Sequence, residues 1–201
     1  MSVFNLIEKR RSIKHFDPNH KMSEEEFNKL INAAILAPTS FNIQHWRFVR
    51  ILDKQQRQMI QNAAWNQAQI STASELIIIV ANTQAWSDNP RRYWKNAAPD
   101  VQQMLVTMLE NFYRDREWLQ RDEAIRSGAM AAQNLMLVAE DMGYNTSPMI
   151  GLEFDKVADL IQLPKDHVIV MMLAIGKGIQ EAQPRGGQIN LEELIVENEF
   201  S

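Results

Sequence analysis

Apolar positions along this chain change period several times, and each change marks an element. Phe27, Leu30, Ile31, Ala34 and Ile35 recur at i, i+3, i+4, i+7 and i+8, which predicts a helix with one apolar face. Ser23-Glu24-Glu25-Glu26 precedes it in the order of a capping box, and Pro38 ends it. Glu75–Ala81 and Val168–Ile175 are continuous β-branched and apolar runs, so both predict strands buried on two faces. Ser127–Met142 is apolar nearly all round and predicts a central buried helix, with Gly143 as its cap. Val101, Met104, Leu105, Met108, Leu109 and Phe112 repeat at helical spacing, and Met108 and Phe112 are expected in the core.

Shorter patterns fill the gaps. Val3–Lys9, Lys54–Ala64 and Asp155–Ile161 read as helices and Arg47–Leu52 as a strand. Asp17-Pro18-Asn19, Asp88-Asn89-Pro90 and Ser147-Pro148-Met149-Ile150-Gly151 read as turns, the second within an irregular stretch over Asn82–Ala98. Gly176-Lys177-Gly178 breaks the second long strand, and Ile179–Ser201 is a polar arm with too little apolar surface to fold alone. Helices outnumber strands and the two alternate only loosely, which favours an α+β sandwich over a doubly wound sheet. No repeat or linker composition divides the chain, so residues 1–201 are expected to form one domain.

Composition narrows the function classes. The 201 residues are 45% hydrophobic and 23% charged, ordinary for a globular protein, and the net charge of −4 with no basic stripe argues against a nucleic-acid binder. With no cysteine, thiolate catalysis, disulfides and Cys-based metal sites are excluded. No apolar run has signal-peptide or membrane-span length, so a cytoplasmic protein without membrane partner is expected. The four histidines, His15, His20, His45 and His167, do not fall at metal-ligand spacing, and no metal site is expected. An enzyme with this inventory would need a cofactor to carry its reaction.

Two segments suggest that cofactor. Arg10, Ser12 and Lys14 alternate, with Arg11 between, so in extended chain they share one side and can grip a phosphate through charge-assisted bonds. Ala37-Pro38-Thr39-Ser40-Phe41-Asn42-Ile43-Gln44 is a loop of small and amide side chains that admits a planar ligand to the backbone. Taken singly, the first reads equally as a solvated basic face and the second as a helix stop before an edge strand. Trp65-Asn66-Gln67-Ala68-Gln69-Ile70, the Ser147–Gly151 turn, and the late cations Lys177 and Arg185 are weaker signals of the same kind.

The order of these segments resembles the FMN-dependent nitroreductase family. The likeness runs from Phe4 to about Arg185 and is carried by Arg10-x-Ser12-x-Lys14-x-Phe16-Asp17, Ala37-Pro38-Thr39-Ser40-x-Asn42-x-Gln44-x-Trp46-x-Phe48, Asn66-x-x-Gln69, Gln133-Asn134-Leu135-Met136-Leu137 before Gly143-Tyr144, and Pro148-Met149-x-Gly151. The resemblance implies the nitroreductase-like α+β fold, a mainly antiparallel sheet flanked by helices. It also implies a homodimer with two FMN sites at its interface and a C-terminal arm extended onto the partner subunit. Arg10, Arg11 and Ser12 would hold the phosphate and ribityl chain, and Lys14 would lie beside the flavin ring. Pro38, Thr39, Ser40 and Asn42 would come from the other subunit. Asn66 and Gln69 would reach the ring edge, and Pro148, Met149, Ile150 and Gly151 would present backbone to it. Arg185, with Lys177, would complete the clamp, and Ser40, Phe41 and Trp65 would line the substrate pocket.

The implied activity is ping-pong transfer from NAD(P)H to a nitroaromatic, quinone or other electron-poor small molecule, with no catalytic side chain because the flavin carries the chemistry. Reductive dehalogenation, another flavin oxidation or a non-catalytic FMN-binding module are the alternatives. Three positions depart from the family pattern: Gln69 where a cation is common, Gly186-Gly187 after Arg185 where a second cation is common, and His45 where proline is common. His45 is expected at the surface or an interface.

Overall fold

The computed structural model, which describes residues 2–200, contains a four-stranded sheet. The strands are β1 (Trp46–Arg50), β2 (Glu75–Asn82), β3 (Asn145–Met149) and β4 (His167–Gly176). Their order is β1-β2-β4-β3, and every neighbouring pair is antiparallel. Every residue of β2 is buried, as its apolar run Leu76–Ala81 requires, and the polar ends Glu75 and Asn82 are buried with it. Because side chains alternate along a strand, Leu76, Ile78 and Val80 enter one core while Ile77, Ile79 and Ala81 enter another on the opposite face.

Helices cover both faces. On the first, Ile60 of α3 (Lys54–Asn62), Ile70 of α4 (Gln69–Thr72) and Val157 of α7 (Phe154–Leu160) complete the core. On the second, Leu30 and Ala34 of α2 (Glu24–Ala34) meet Leu135 and Ala139 of α6 (Glu117–Asp141). The capping box forms as predicted: the Ser23 hydroxyl accepts from the Glu26 N–H, and Glu26 accepts from the Ser23 N–H. Gly143 ends α6 with φ +74°, a conformation that favours glycine.

Four expectations are corrected. Helix α6 begins at Glu117, ten residues before the predicted Ser127, because Glu117–Arg126 is a solvated first half whose charges conceal the buried Gln120 and Ala124. Ser147–Met149 belongs to strand β3 and is not a turn; Pro148 is tolerated because β3 lies at the sheet's edge. Helix α5 (Pro99–Tyr113) buries Val106, Leu109 and Tyr113, so Met108 and Phe112 fall on its exposed side and are not core. His45 is fully buried immediately before β1, not at the surface. A smaller cluster of Ile43, Trp86, Tyr93, Leu109 and Tyr113 supports the segment between β2 and α5.

Two segments lie outside these cores. Helix α1 (Val3–Lys9) buries none of its residues, and residues 183–200, including α8 (Leu191–Leu194), are exposed throughout. Among the described residues, no helix is long and apolar enough to cross a membrane.

Candidate functional site

The basic segment meets the outer edge of β3 at a single bridge. Ser12 bridges Thr146 in parallel, and the Ile13 N–H donates to the Thr146 carbonyl at 3.0 Å. Ile13 is buried, so the alternation of extended chain turns its neighbours Ser12 and Lys14 outward. The Lys14 ammonium donates to the Ser147 hydroxyl at 3.3 Å, which sets it beside Pro148 and Met149.

Arg10, Arg11, Ser12 and Lys14 open into a cavity of about 380 Å³ that residues 183–188, including Arg185, close from the other side. Arg11 donates to the Gln183 carbonyl, and Arg185 donates to the Glu8 carbonyl at 2.9 Å. Both bonds fold the start of the C-terminal arm back over the basic segment. No carboxylate lines this cavity. The crowding holds the Arg10 guanidinium below its ordinary pKa, first through burial and then through Arg185 and Arg11, with Glu140 opposing. Glu140 is itself buried on α6 and accepts from the Lys9 ammonium at 3.0 Å.

Lys177 does not line the cavity. Its ammonium donates to the Gly143 carbonyl at 2.7 Å and lies 3.9 Å from the centre of the Tyr144 ring. That ring also donates its hydroxyl to Glu26 at 2.8 Å, so Lys177 sits in a structural network at the end of α6.

A second group converges near the end of β3. Trp65 and Asn66 both have φ near +55°, and this left-handed turn sets the Trp65 ring against Gly151. The Gln67 amide donates to the Gly151 carbonyl at 2.9 Å. Gln69 is buried and donates to Gln67 at 3.0 Å and to the Met149 sulfur at 3.2 Å. Trp65 and Ile150 remain largely exposed, two large apolar surfaces side by side with a polar backbone edge.

The Pro38–Gln44 loop is held elsewhere. Phe41, Asn42 and Gln44 all have positive φ. The loop is pinned by Thr39 accepting from the Gln44 N–H, by the Ser40 N–H donating to Glu123 at 3.4 Å, and by Asn42 donating to the Tyr93 carbonyl at 2.7 Å. Phe41 meets Phe112 with ring centres 5.8 Å apart, and with Met108, Asn111 and Arg116 they line a cavity of about 330 Å³. The single chain therefore gathers Arg10, Arg11, Ser12, Lys14 and Arg185 in one place, Trp65, Gln69, Met149 and Gly151 in a second, and the Pro38–Asn42 loop in a third. Gln183 and Glu140 are not singled out by the sequence reading; only Glu140, a charge inside an apolar helical run, carries a local signal. No cluster of His, Asp or Glu suited to a metal occurs among the described residues.

Comparison with known proteins gives the family. Residues 7–177 match the sequence profile described as the nitroreductase family. Protein DrgA of Synechocystis is 52% identical over 90% of this chain and 87% of its own length. The CLA biosynthesis enone reductase of Lactiplantibacillus plantarum is 30% identical over 86% of this chain and 83% of its own. A protein of Exiguobacterium sibiricum solved in complex with FMN superposes with a TM-score of 0.89 at 29% identity, covering 98% of this chain and 97% of that one. The fold, the order of the motifs and the extent of these matches agree, and the chain belongs to the nitroreductase family.

Proposed function

We propose that this protein is an FMN-dependent NAD(P)H oxidoreductase that works as a homodimer. The observation that carries the reading is the cavity in which Arg10, Arg11, Lys14 and Arg185 meet without a carboxylate. Three guanidiniums in one small space repel one another, and a phosphate group relieves that repulsion while accepting their hydrogen bonds. The residues thus fit the phosphate end of FMN.

Arg10, Arg11, Ser12 and Arg185 would hold that phosphate and the ribityl chain. Lys14, fixed by Ser147, would place a positive charge beside the ring, where it favours the reduced, anionic form on electrostatic grounds. Pro148, Met149, Ile150 and Gly151 would offer backbone to the ring edge, with Asn66 and Gln69 beside them. Lys177 has other partners and takes no part. Pro38, Thr39, Ser40 and Asn42 would reach the same cofactor from the other subunit, with Ser40, Phe41 and Trp65 bounding the substrate pocket. FMN, when bound, supplies hydride acceptance from NAD(P)H and onward delivery to an electron-poor acceptor such as a nitroaromatic, a quinone or an enone. The chain's own residues stack, orient and exclude water, and none need act as acid or base.

The exposed α1 and C-terminal arm support a dimer, since Val3, Phe4 and Ile7 find no core in their own chain. The test is anaerobic: protein saturated with FMN is mixed with NADH or NADPH, then with a quinone or nitroaromatic. Bleaching of the flavin absorbance followed by its return is expected. A bound flavin that no nicotinamide bleaches would reduce the protein to a binding module.

A further inference from the structure

The largest and most enclosed of the described cavities belongs to neither the basic segment nor the Pro38–Asn42 loop. It holds about 550 Å³, within the size range of small-molecule sites, and shares no residue with the Arg10–Arg185 cavity. Its walls come from the turn before α2, the end of β1, the start of α3 and the entry to β2. Lys21, Arg50, Lys54 and Arg57 face it, against one carboxylate, Glu75.

That carboxylate is already committed. Arg50 donates to both Glu75 oxygens at 2.7 and 2.8 Å and to Glu24 on its other edge at 2.8 Å. Lys21, Lys54 and Arg57 are left without an ion pair among the described residues. Arg57 is the informative one. Its hydrogen bonds go to the backbone carbonyls of Ala73 at 2.7 Å, Ile51 at 2.9 Å and Ser74 at 3.5 Å. These bonds lock a positive guanidinium in the cavity wall, and burial first, with Arg50 adding to it against Glu75, holds it below its ordinary pKa. A partly desolvated cation with only carbonyl partners is stabilised by an anion brought from solution. The two flanking lysines are exposed and come from different elements, so they can close on such an anion from two sides.

We infer that the cavity between Lys21, Lys54 and Arg57 is an anion site for a small phosphate-bearing molecule, separate from the proposed cofactor site. A phosphate offers three terminal oxygens to three cations arriving from three directions, which a carboxylate does not. The exposed Leu52 side chain gives the cavity an apolar edge for the organic part of such a molecule.

The probe is inorganic phosphate added to full-length protein in excess FMN, so that the Arg10–Arg185 cavity is blocked if it binds FMN. Phosphorus NMR line broadening and thermal shift are followed against sodium chloride of equal ionic strength. Phosphate is expected to broaden and to raise the Tm where chloride does not. The Lys21→Gln/Lys54→Gln double variant, altered only at exposed positions, is expected to weaken the apparent Kd by about tenfold or more. Arg185→Ala is expected to leave the response unchanged. No response beyond chloride, an undiminished response in the double variant, or a response lost only in Arg185→Ala would each overturn the site. The readout does not depend on flavin reduction, so failure here is distinct from failure of the oxidoreductase reading.

Discussion

A methyl group added to Gly151 would lie 2.7 Å from Cζ3 of Trp65. The two residues lie more than eighty positions apart in the sequence, yet the indole rests directly on the glycine. Gly151→Ala must push the Trp65 ring aside. The ring is largely exposed and free to swing, so the stability cost should stay within about 1 kcal/mol. Its position beside the proposed flavin edge should change more. We expect altered tryptophan fluorescence and a raised KM for the acceptor in Gly151→Ala. In a Trp65→Ala background the same substitution should have little further effect, and persistence of the full effect there would break the link between the two residues.

Arg10 and Arg185 lie close enough for each to oppose the other's charge. If a phosphate reconciles them, removing either one costs a charge-assisted bond of about 1.5–3 kcal/mol. Arg10→Ala should weaken FMN roughly ten- to a hundredfold, read as flavin absorbance retained after dialysis. Stoichiometric flavin in that variant would contradict the clamp.

His45 is buried with neither ring nitrogen paired, and burial, aided by the nearby Arg47, depresses its pKa to about 4. The unfolded chain takes up this proton near pH 6.5 and the folded chain only near pH 4. The stability associated with neutral His45 is therefore complete above about pH 6.5 and is lost as pH falls through that window. The loss amounts to roughly 3 kcal/mol at its limit. Urea unfolding of His45→Gln between pH 7 and pH 4 should show a shallower acid limb than the parent protein.

The Ser23 hydroxyl accepts the Glu26 N–H at 3.2 Å, and Glu26 returns the bond to the Ser23 N–H at 2.9 Å. The Ser23 N–H and the Ser23 hydroxyl, both donating to the Glu26 carboxylate, and the Tyr144 hydroxyl hold that carboxyl near a pKa of about 2. Ser23→Ala should destabilise the protein by about 1 kcal/mol, measured as a lower urea midpoint with unchanged slope.

Phe4 and Leu36 are each 80% exposed in the single chain. If a second copy covers them, Phe4→Glu with Leu36→Glu should convert a dimer to a monomer by size-exclusion chromatography with light scattering. Cofactor should be lost with it. A monomeric wild-type protein that still binds FMN would refute the interface-built site.

Legibility in the sequence followed the locality of the signal. The capping box, the doubly buried run of β2 and the Gly143 terminator each rest on residues within a turn or two of one another, and all appear as expected. Strand β3 is not legible in the sequence because Asn145-Thr146-Ser147-Pro148-Met149 has turn chemistry; only its pairing with β4 makes it a strand. Met108 and Leu109 are equally apolar, and the choice of which one is buried depends on how α5 is rotated against Trp86 and Tyr93. His45 went inside for the same reason, since the helix stop and the start of β1 fix its backbone and leave the ring no route to solvent.

By itself the sequence determined most of the elements, the α+β class and the family, and it offered the cations proposed to hold a phosphate, because these depend on period, composition and the order of short motifs. Only the tertiary structure decided which cations meet. It brought Arg185 to Arg10 and took Lys177 to Tyr144, and it left Lys21, Lys54 and Arg57 facing a cavity whose one carboxylate was already paired. Charges act through space over a few ångströms, and which of them come that close is settled by chain crossings that no local pattern records.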